Sequence, residues 1–323
     1  MLKLISATII LMSVVFVSCI HTDVTQFVDP NIGGVAPLLT TKKPTVHRPH
    51  SMVRVFPVTR PGLEDRYLSD KIYGFALNMP AYRMGHVTEL MPSAGKPNAN
   101  YNATASGYDH GLEEVHPWYH KVILEDPQVE ADWTTTERAV VYRFKFNRPD
   151  SVNITFRSRQ KAFLQVTSDN TLEGWEEFEK TRQYFHAEFN QSFVQSLTFK
   201  AGAMAPGQQA EGNAIGMILR FKHSEKPVEV RIGLSYIDAA QASANLKNET
   251  NGRSFETIRD NGYQIWKKEL GKIQVEGGTE REKRIFYTSL YRTMERMVNI
   301  SESGRYFSRS EEHTSELQSL RHL

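Results

Sequence analysis

Between residues 24 and 237 the chain repeatedly alternates apolar and polar residues, and this period of two is what most restricts the folds open to it. In "VVYRFKF", Val140, Tyr142, Phe144 and Phe146 fall on one side, with Val141, Arg143 and Lys145 on the other. "VNITF" repeats the pattern with Val152, Ile154 and Phe156. "WYHKVIL", "YFHAEF", "SFVQSLTF", "AIGMILRF" and "VEVRIGLSYI" continue it, separated by clusters of Gly, Pro, Asn and Asp. Each such segment can bury one face and wet the other. Many short segments in series therefore predict a mainly β chain built as a large antiparallel β-sandwich. The 323 residues are enough to bury a large core. A formal charge of +2 supplies no field to attract nucleic acid or an anionic membrane surface, so neither is an expected partner by that route.

The first residues, "MLKLISATIILMSVVFVSC", carry one Lys and an apolar run over residues 4–17. That run is shorter than the roughly 20 residues a spanning helix needs, so residues 1–18 read as a secretory signal peptide. Cys19 is the only cysteine, which excludes an intramolecular disulfide. Its place after the small Ser18 resembles a bacterial lipobox. That resemblance implies lipid attachment at Cys19 and a periplasmic or outer-membrane lipoprotein, touching the membrane only through its anchor.

After Tyr236 the period becomes helical. Asp238 is placed to cap "DAAQASANLKN", and Ser254 and Gly271 bracket "SFETIRDNGYQIWKKELG". In "TEREKRIFYTSLYRTMERMV", Thr279 and Glu282 form a capping box. Ile285, Phe286, Leu290, Met294, Met297 and Val298 make an apolar stripe in search of a partner. The expected units are a sandwich over 19–237, a helical linker over 238–277 and a further helix within 278–308.

Isolated chemical groups favour structural roles. His47 and His50 flank Pro49 without nearby carboxylates, which suits a solvated loop better than a metal site. Pro117 and the strand pattern separate His116 from His120. Glu176, Glu177 and Glu179 in "WEEFEK" have no apolar surroundings to raise a pKa and read as wet surface. Trp175, near Asp169, reads as a core residue before a sugar platform. Sequons at Asn102, Asn153, Asn190, Asn248 and Asn299 carry little weight in a bacterial protein.

"IWKKELGKIQVEGGTEREKRIFYTSLYRTM" closely resembles the junction of glycoside hydrolase family 92, the calcium-dependent exo-α-mannosidases. "FVDPNIGG", "HPWYHKVILEDPQVEADWTTTERAVVYRFKF" and "IGLSYIDAAQASANL" are similar to other parts of that family, and "KKPTVHRPHSMVRVFPVTR" to one of its subgroups. The resemblance implies a β-sandwich joined by linker helices to an (α/α)6 barrel, with 278–308 as the start of the barrel. It also implies inverting hydrolysis of α-mannosides in mannose-containing glycans, with Ca²⁺ as cofactor. In the family the catalytic carboxylates and most calcium ligands belong to the barrel, so no catalytic residue and no metal ligand is assigned to this chain. The sandwich is expected to supply a substrate-binding rim at Asn31, Gly33, Gly34 and His47, with Asn31 and His47 recognising hydroxyls. The alternative for the same residues is a tight sandwich turn. Tyr67 and Tyr73 stand in a region where many members carry a sugar-stacking Trp.

The tail, "RSEEHTSELQSLRHL", has no helical or strand stripe. Its residues 309–319 match the translation of a common short-read sequencing adapter. Residues 309–323 are therefore expected to be an artefact, with the chain cut after the first barrel helix and inactive without the missing catalytic barrel. Two alternatives keep the sandwich without hydrolysis: a free-standing carbohydrate-binding β-sandwich lipoprotein, or a structural or adhesive surface lipoprotein.

Overall fold

The computed structural model describes residues 22–35, 41–59, 69–81, 85–307 and 314–316. The expected signal peptide, Cys19 and Tyr67 lie outside the described residues. So does the adapter-like tail except Thr314–Glu316, which pairs antiparallel with Arg305–Phe307.

The chain is mainly β, and two large antiparallel sheets enclose its core. The nine-stranded sheet runs Gln209–Asn213, Lys161–Ser168, Thr171–Phe178, Thr181–Phe189, Val228–Ser235, Ala139–Phe146, Val129–Thr135, Tyr119–Leu124 and Glu114–His116. The eight-stranded sheet runs Ala203–Pro206, Gln195–Lys200, Ile215–Phe221, Val152–Arg157, Gly85–Ala94, Lys71–Ala81 and Pro57–Thr59, with Ser106–Gly107 paired to Lys71–Ala81. Alternation in sequence becomes alternation in space: Val140, Tyr142 and Phe144 are fully buried, as are Ile154 and Phe156 on the opposing sheet. Phe75 of one sheet meets Trp133 of the other at 5.0 Å between ring centroids. The Tyr142 hydroxyl donates across the core to the Ala76 carbonyl at 2.8 Å. Each such side chain contributes roughly 1.5–3 kcal/mol by leaving water.

Three helices follow, each with the cap its sequence offers. In α1 (Ala239–Thr250) the Asp238 carboxylate accepts from the Gln241 N–H at 2.6 Å. In α2 (Phe255–Leu270) Ser254 accepts from the Thr257 N–H at 3.1 Å, and Gly271 ends the helix. In α3 (Glu280–Thr293) the capping box is complete, since Thr279 and Glu282 each serve the other's backbone N–H, at 2.7 and 3.2 Å.

Several expectations change once these helices dock. Val141 was assigned to the wet face of its strand, yet it is fully buried, because Phe255 and Ile258 of α2 cover it. Met297 and Val298 lie beyond the end of α3, and Ile285 and Phe286 remain 48% and 38% exposed. The face of α3 that buries carries Tyr287, Thr288 and Tyr291 instead. Tyrosine can take that place because its hydroxyl finds a carbonyl: Tyr287 donates to Ile273 O at 3.0 Å.

Trp175 is half-buried on the outer face of its sheet, with the Arg182 guanidinium 4.0 Å from its ring centroid, and so is not a core residue. Within "WEEFEK", Glu179 is exposed but Glu176 is buried, contrary to the wet-surface reading. Its carboxylate accepts from the N–H groups of Thr88, Arg159 and Gln160 at 2.5, 2.9 and 2.8 Å, and from the Thr88 hydroxyl at 2.8 Å. Truncating this side chain would strand those donors inside the protein. Glu176→Ala should therefore cost about 3 kcal/mol of unfolding free energy, read from urea titration.

Candidate functional site

The short strand Val46–His47 pairs antiparallel with Arg54–Val55, and this ribbon is where the sandwich meets α2 and α3. The Tyr291 hydroxyl donates to the Thr45 carbonyl at 2.5 Å, and the Thr45 hydroxyl donates to the Glu295 carboxylate. Arg292 reaches the same Glu295 oxygen at 2.6 Å, the Lys43 carbonyl at 2.8 Å and the Pro30 carbonyl at 2.6 Å. Arg54 donates to the Glu295 carbonyl at 3.1 Å and to the Pro80 carbonyl at 3.0 Å. A buried carboxylate such as Glu295 is tolerable only with partners of this kind. Burial pushes its pKa up, but the Arg292 guanidinium, His47 and the Thr45 hydroxyl together hold it below the usual carboxylate range.

His47 sits inside this junction and is fully buried. Its ring lies 5.2 Å from Trp266 and 5.1 Å from Tyr291, while the Trp266 indole N–H donates to the His47 carbonyl at 2.8 Å. Nδ1 is 2.8 Å from the Arg48 carbonyl, which assigns the proton to that nitrogen. Nε2 has no hydrogen-bond partner among the described residues. The solvated-loop expectation therefore holds for His50, which is exposed, and fails for His47, which α2 and α3 seal off. Arg48 is also buried here, donating to the Ile258 carbonyl at 2.7 Å. It passes so close to α2 that a Cβ on Gly262 would lie 1.8 Å from its Nη1, which explains a glycine in mid-helix.

Asn31, Gly33 and Gly34 share a separate turn. The Asp29 carboxylate accepts from the Asn31 N–H at 2.9 Å, and the Asn31 carbonyl accepts from the Gly34 N–H at 3.0 Å. Gly33 has φ +90°, and a Cβ there would lie 2.9 Å from Cγ of Lys42, so only glycine fits. α3 fixes this turn twice: Thr288 Oγ1 accepts from the Asp29 N–H at 2.9 Å, and Arg292 holds the Pro30 carbonyl. Asn31 opens onto a cleft of about 490 Å³ that His116, Trp118 and Arg284 also line. Asn31 thus meets the cleft, whereas His47 is enclosed behind Arg292 and Tyr291.

Arg54, Tyr291, Arg292 and Glu295 were not singled out from the sequence. The one available signal was on α3 and just past its end, where Tyr287 and Tyr291 stand four apart and Arg292 and Glu295 three apart, marking a second, polar side. Among the described residues no group of three or more His, Cys, Asp or Glu could hold a metal ion.

The buried junction has a pH signature. Burial pushes the His47 imidazole from 6.5 down to about 4, with the Glu295 carboxylate opposing. Between those values the unfolded chain takes up a proton that the folded chain refuses. Stability must therefore fall as pH drops through the window, by about 3 kcal/mol in all. Urea titrations at neutral pH and near pH 4 should show this loss, and His47→Phe should remove most of it.

Residues 27–235 match the glycosyl hydrolase family 92 N-terminal domain, and residues 241–320 match the family 92 catalytic domain. The fold is similar to a family GH92 inverting mannosidase from Bacteroides thetaiotaomicron, with TM-score 0.84 and 19% identity over 91% of this chain and 43% of that one. A family GH92 alpha-mannosidase from the same bacterium gives TM-score 0.80 and 20% identity over 91% of this chain and 44% of that one. An uncharacterized secreted glycosidase of Arthroderma benhamiae is 34% identical over 86 residues, 24% of this chain and 11% of that protein. The chain spans less than half the length of each of these relatives. The N-terminal-domain match alone covers more than half of this chain, which belongs to glycosyl hydrolase family 92.

Proposed function

We propose that this chain serves as the sandwich and junction of a secreted, lipid-anchored exo-α-mannosidase that trims mannose-containing glycans with inversion. The observation that carries this reading is the welded junction. Tyr291, Arg292 and Glu295 bind α3 to the sandwich through Thr45, Lys43 and Pro30, so the two domains matched by the family act as one rigid frame.

Inverting hydrolysis needs a carboxylic acid to protonate the leaving oxygen and a carboxylate to activate water on the opposite face, about 6.5–9.5 Å apart. Glu176 and Glu295 are buried and committed to backbone and side-chain donors, which leaves them structural. In this proposal the acid, the base and the residues that would hold any calcium ion belong to the length of the relatives that this chain does not span. The chain's own contribution is to orient α3 and to present the Asn31 turn to glycan. Anchoring through Cys19 and export behind residues 1–18 belong to the same proposal. Among the described residues no helix is long and apolar enough to cross a membrane.

The test is expression of the full reading frame from genomic DNA beside the 323-residue chain. The full protein should hydrolyse an aryl α-mannoside, release β-mannose first by NMR, and lose activity to a calcium chelator. The chain alone should give no turnover. Absence of hydrolysis by the full protein, or release of the α anomer, would overturn the proposal.

A further inference from the structure

Asparagine followed by glycine occurs twice in the chain, at Asn251–Gly252 and at Asn261–Gly262, and the fold treats the two pairs in opposite ways. Asparagine is thermolabile because a backbone nitrogen can attack its side-chain amide, and a following glycine has no Cβ to shield that nitrogen. Asn261 and Gly262 lie in the interior of α2, where the helix commits the Gly262 N–H to the carbonyl four residues back. Gly262 is also buried beneath Arg48. Asn251, by contrast, caps the C-terminus of α1, and residues 251–254, all exposed, link α1 to α2. Its own N–H donates to the Lys247 carbonyl at 3.1 Å, but the next peptide group is unheld. Among the described residues neither the Asn251 carbonyl, the Gly252 N–H nor the Asn251 side chain makes a hydrogen bond. Gly252 has φ +69°, and nothing lies within 4 Å of where its Cβ would stand. The peptide can therefore turn its nitrogen onto the Asn251 side chain without breaking a hydrogen bond or displacing a neighbour.

We propose that Asn251 is a site of spontaneous deamidation and isoaspartate formation, selected by the unheld peptide at the end of α1. The Gly252 nitrogen bonds to Cγ of Asn251 and gives up its proton, and ammonia leaves as the Cγ–Nδ2 bond breaks. Water then opens the cyclic imide. Cleavage at Cγ yields aspartate, and cleavage at the main-chain carbonyl yields isoaspartate, whose backbone runs through Cβ and Cγ. A water is consumed and an ammonia released, with no oxidant and no catalytic group. Either product places a carboxylate at the C-terminus of α1, against the negative end of its dipole. Isoaspartate also lengthens the link to α2 just before the Ser254 cap.

The experiment ages the 323-residue chain at mildly alkaline pH and body temperature, folded and in urea. Both asparagines are followed by peptide mass mapping and by labelling with an isoaspartyl methyltransferase. In the folded chain Asn251 should convert at least about tenfold faster than Asn261, whose reaction must wait for α2 to open. In urea the two should convert at similar rates, because each is then an unstructured Asn-Gly pair. Asn251→Gln should remove most of the acidic species that isoelectric focusing reveals on ageing, with thermal melting unchanged. Conversion of Asn251 no faster than Asn261 in the folded chain, or acidic species undiminished in the Asn251→Gln variant, would overturn the proposal.

Discussion

Glu295 is a carboxylate taken almost wholly out of water, and the arrangement of everything around it follows from that fact. An ion in such a place must be surrounded by donors, and removing any one of them leaves a charge stranded at a cost of about 3–5 kcal/mol. The donors come from different parts of the chain: Thr45 from the ribbon at the edge of the sandwich, and Arg292 from α3 itself. Arg292 is in turn spread across the carbonyls of Lys43 and Pro30. Satisfying Glu295 therefore sets where α3 lies, how far it can rotate and where the Asn31 turn is pinned.

Packing reinforces this polar weld. Trp266, Leu270, Tyr287 and Tyr291 form an apolar cluster with Val24 and Val28, so the first strand-free residues of the sandwich are wrapped between α2 and α3. Beyond α3 the chain turns back to the sandwich. Glu302, fully buried, accepts from the Tyr236 N–H at 2.9 Å and from the Asn245 amide at 2.7 Å. Arg138 donates to the Ser301 carbonyl at 2.7 Å. Burial pushes the Glu302 carboxyl up, against the hydrogen bonds that favour its charged form. The C-terminal half of α3 and the segment that follows it are thus both fixed to the sandwich.

The sheets were legible from alternation alone, because a period of two maps directly onto the two faces of a strand. The caps were equally legible, since Asp238, Ser254 and the Thr279–Glu282 box act within four residues of their own position. What escaped was decided by contacts distant in sequence. Val141 looked wet until α2 covered it, and Glu176 looked exposed because its donors sit 88 residues away on Thr88 and on the turn at Arg159 and Gln160. The stripe on α3 was drawn from residues without polar atoms to satisfy, Phe286 among them, whereas its buried face uses tyrosines whose hydroxyls need carbonyls that only the folded chain supplies. For the site, Asn31 could be placed on a turn by its glycines, but nothing local announced that His47 would be enclosed. Arg54 and Arg292 were invisible for the same reason, as their partners are backbone carbonyls far along the chain.

The claim that α3 and the sandwich are one body is tested most directly by native-state hydrogen exchange. Amides in the α3 segment from Tyr287 to Thr293 should open with the same free energy as those of the core strand Ala139–Phe146, because neither can unfold while the Glu295 weld is intact. Exchange of the α3 amides at a far lower free energy, with the strand still protected, would show an independently fraying helix and contradict the account.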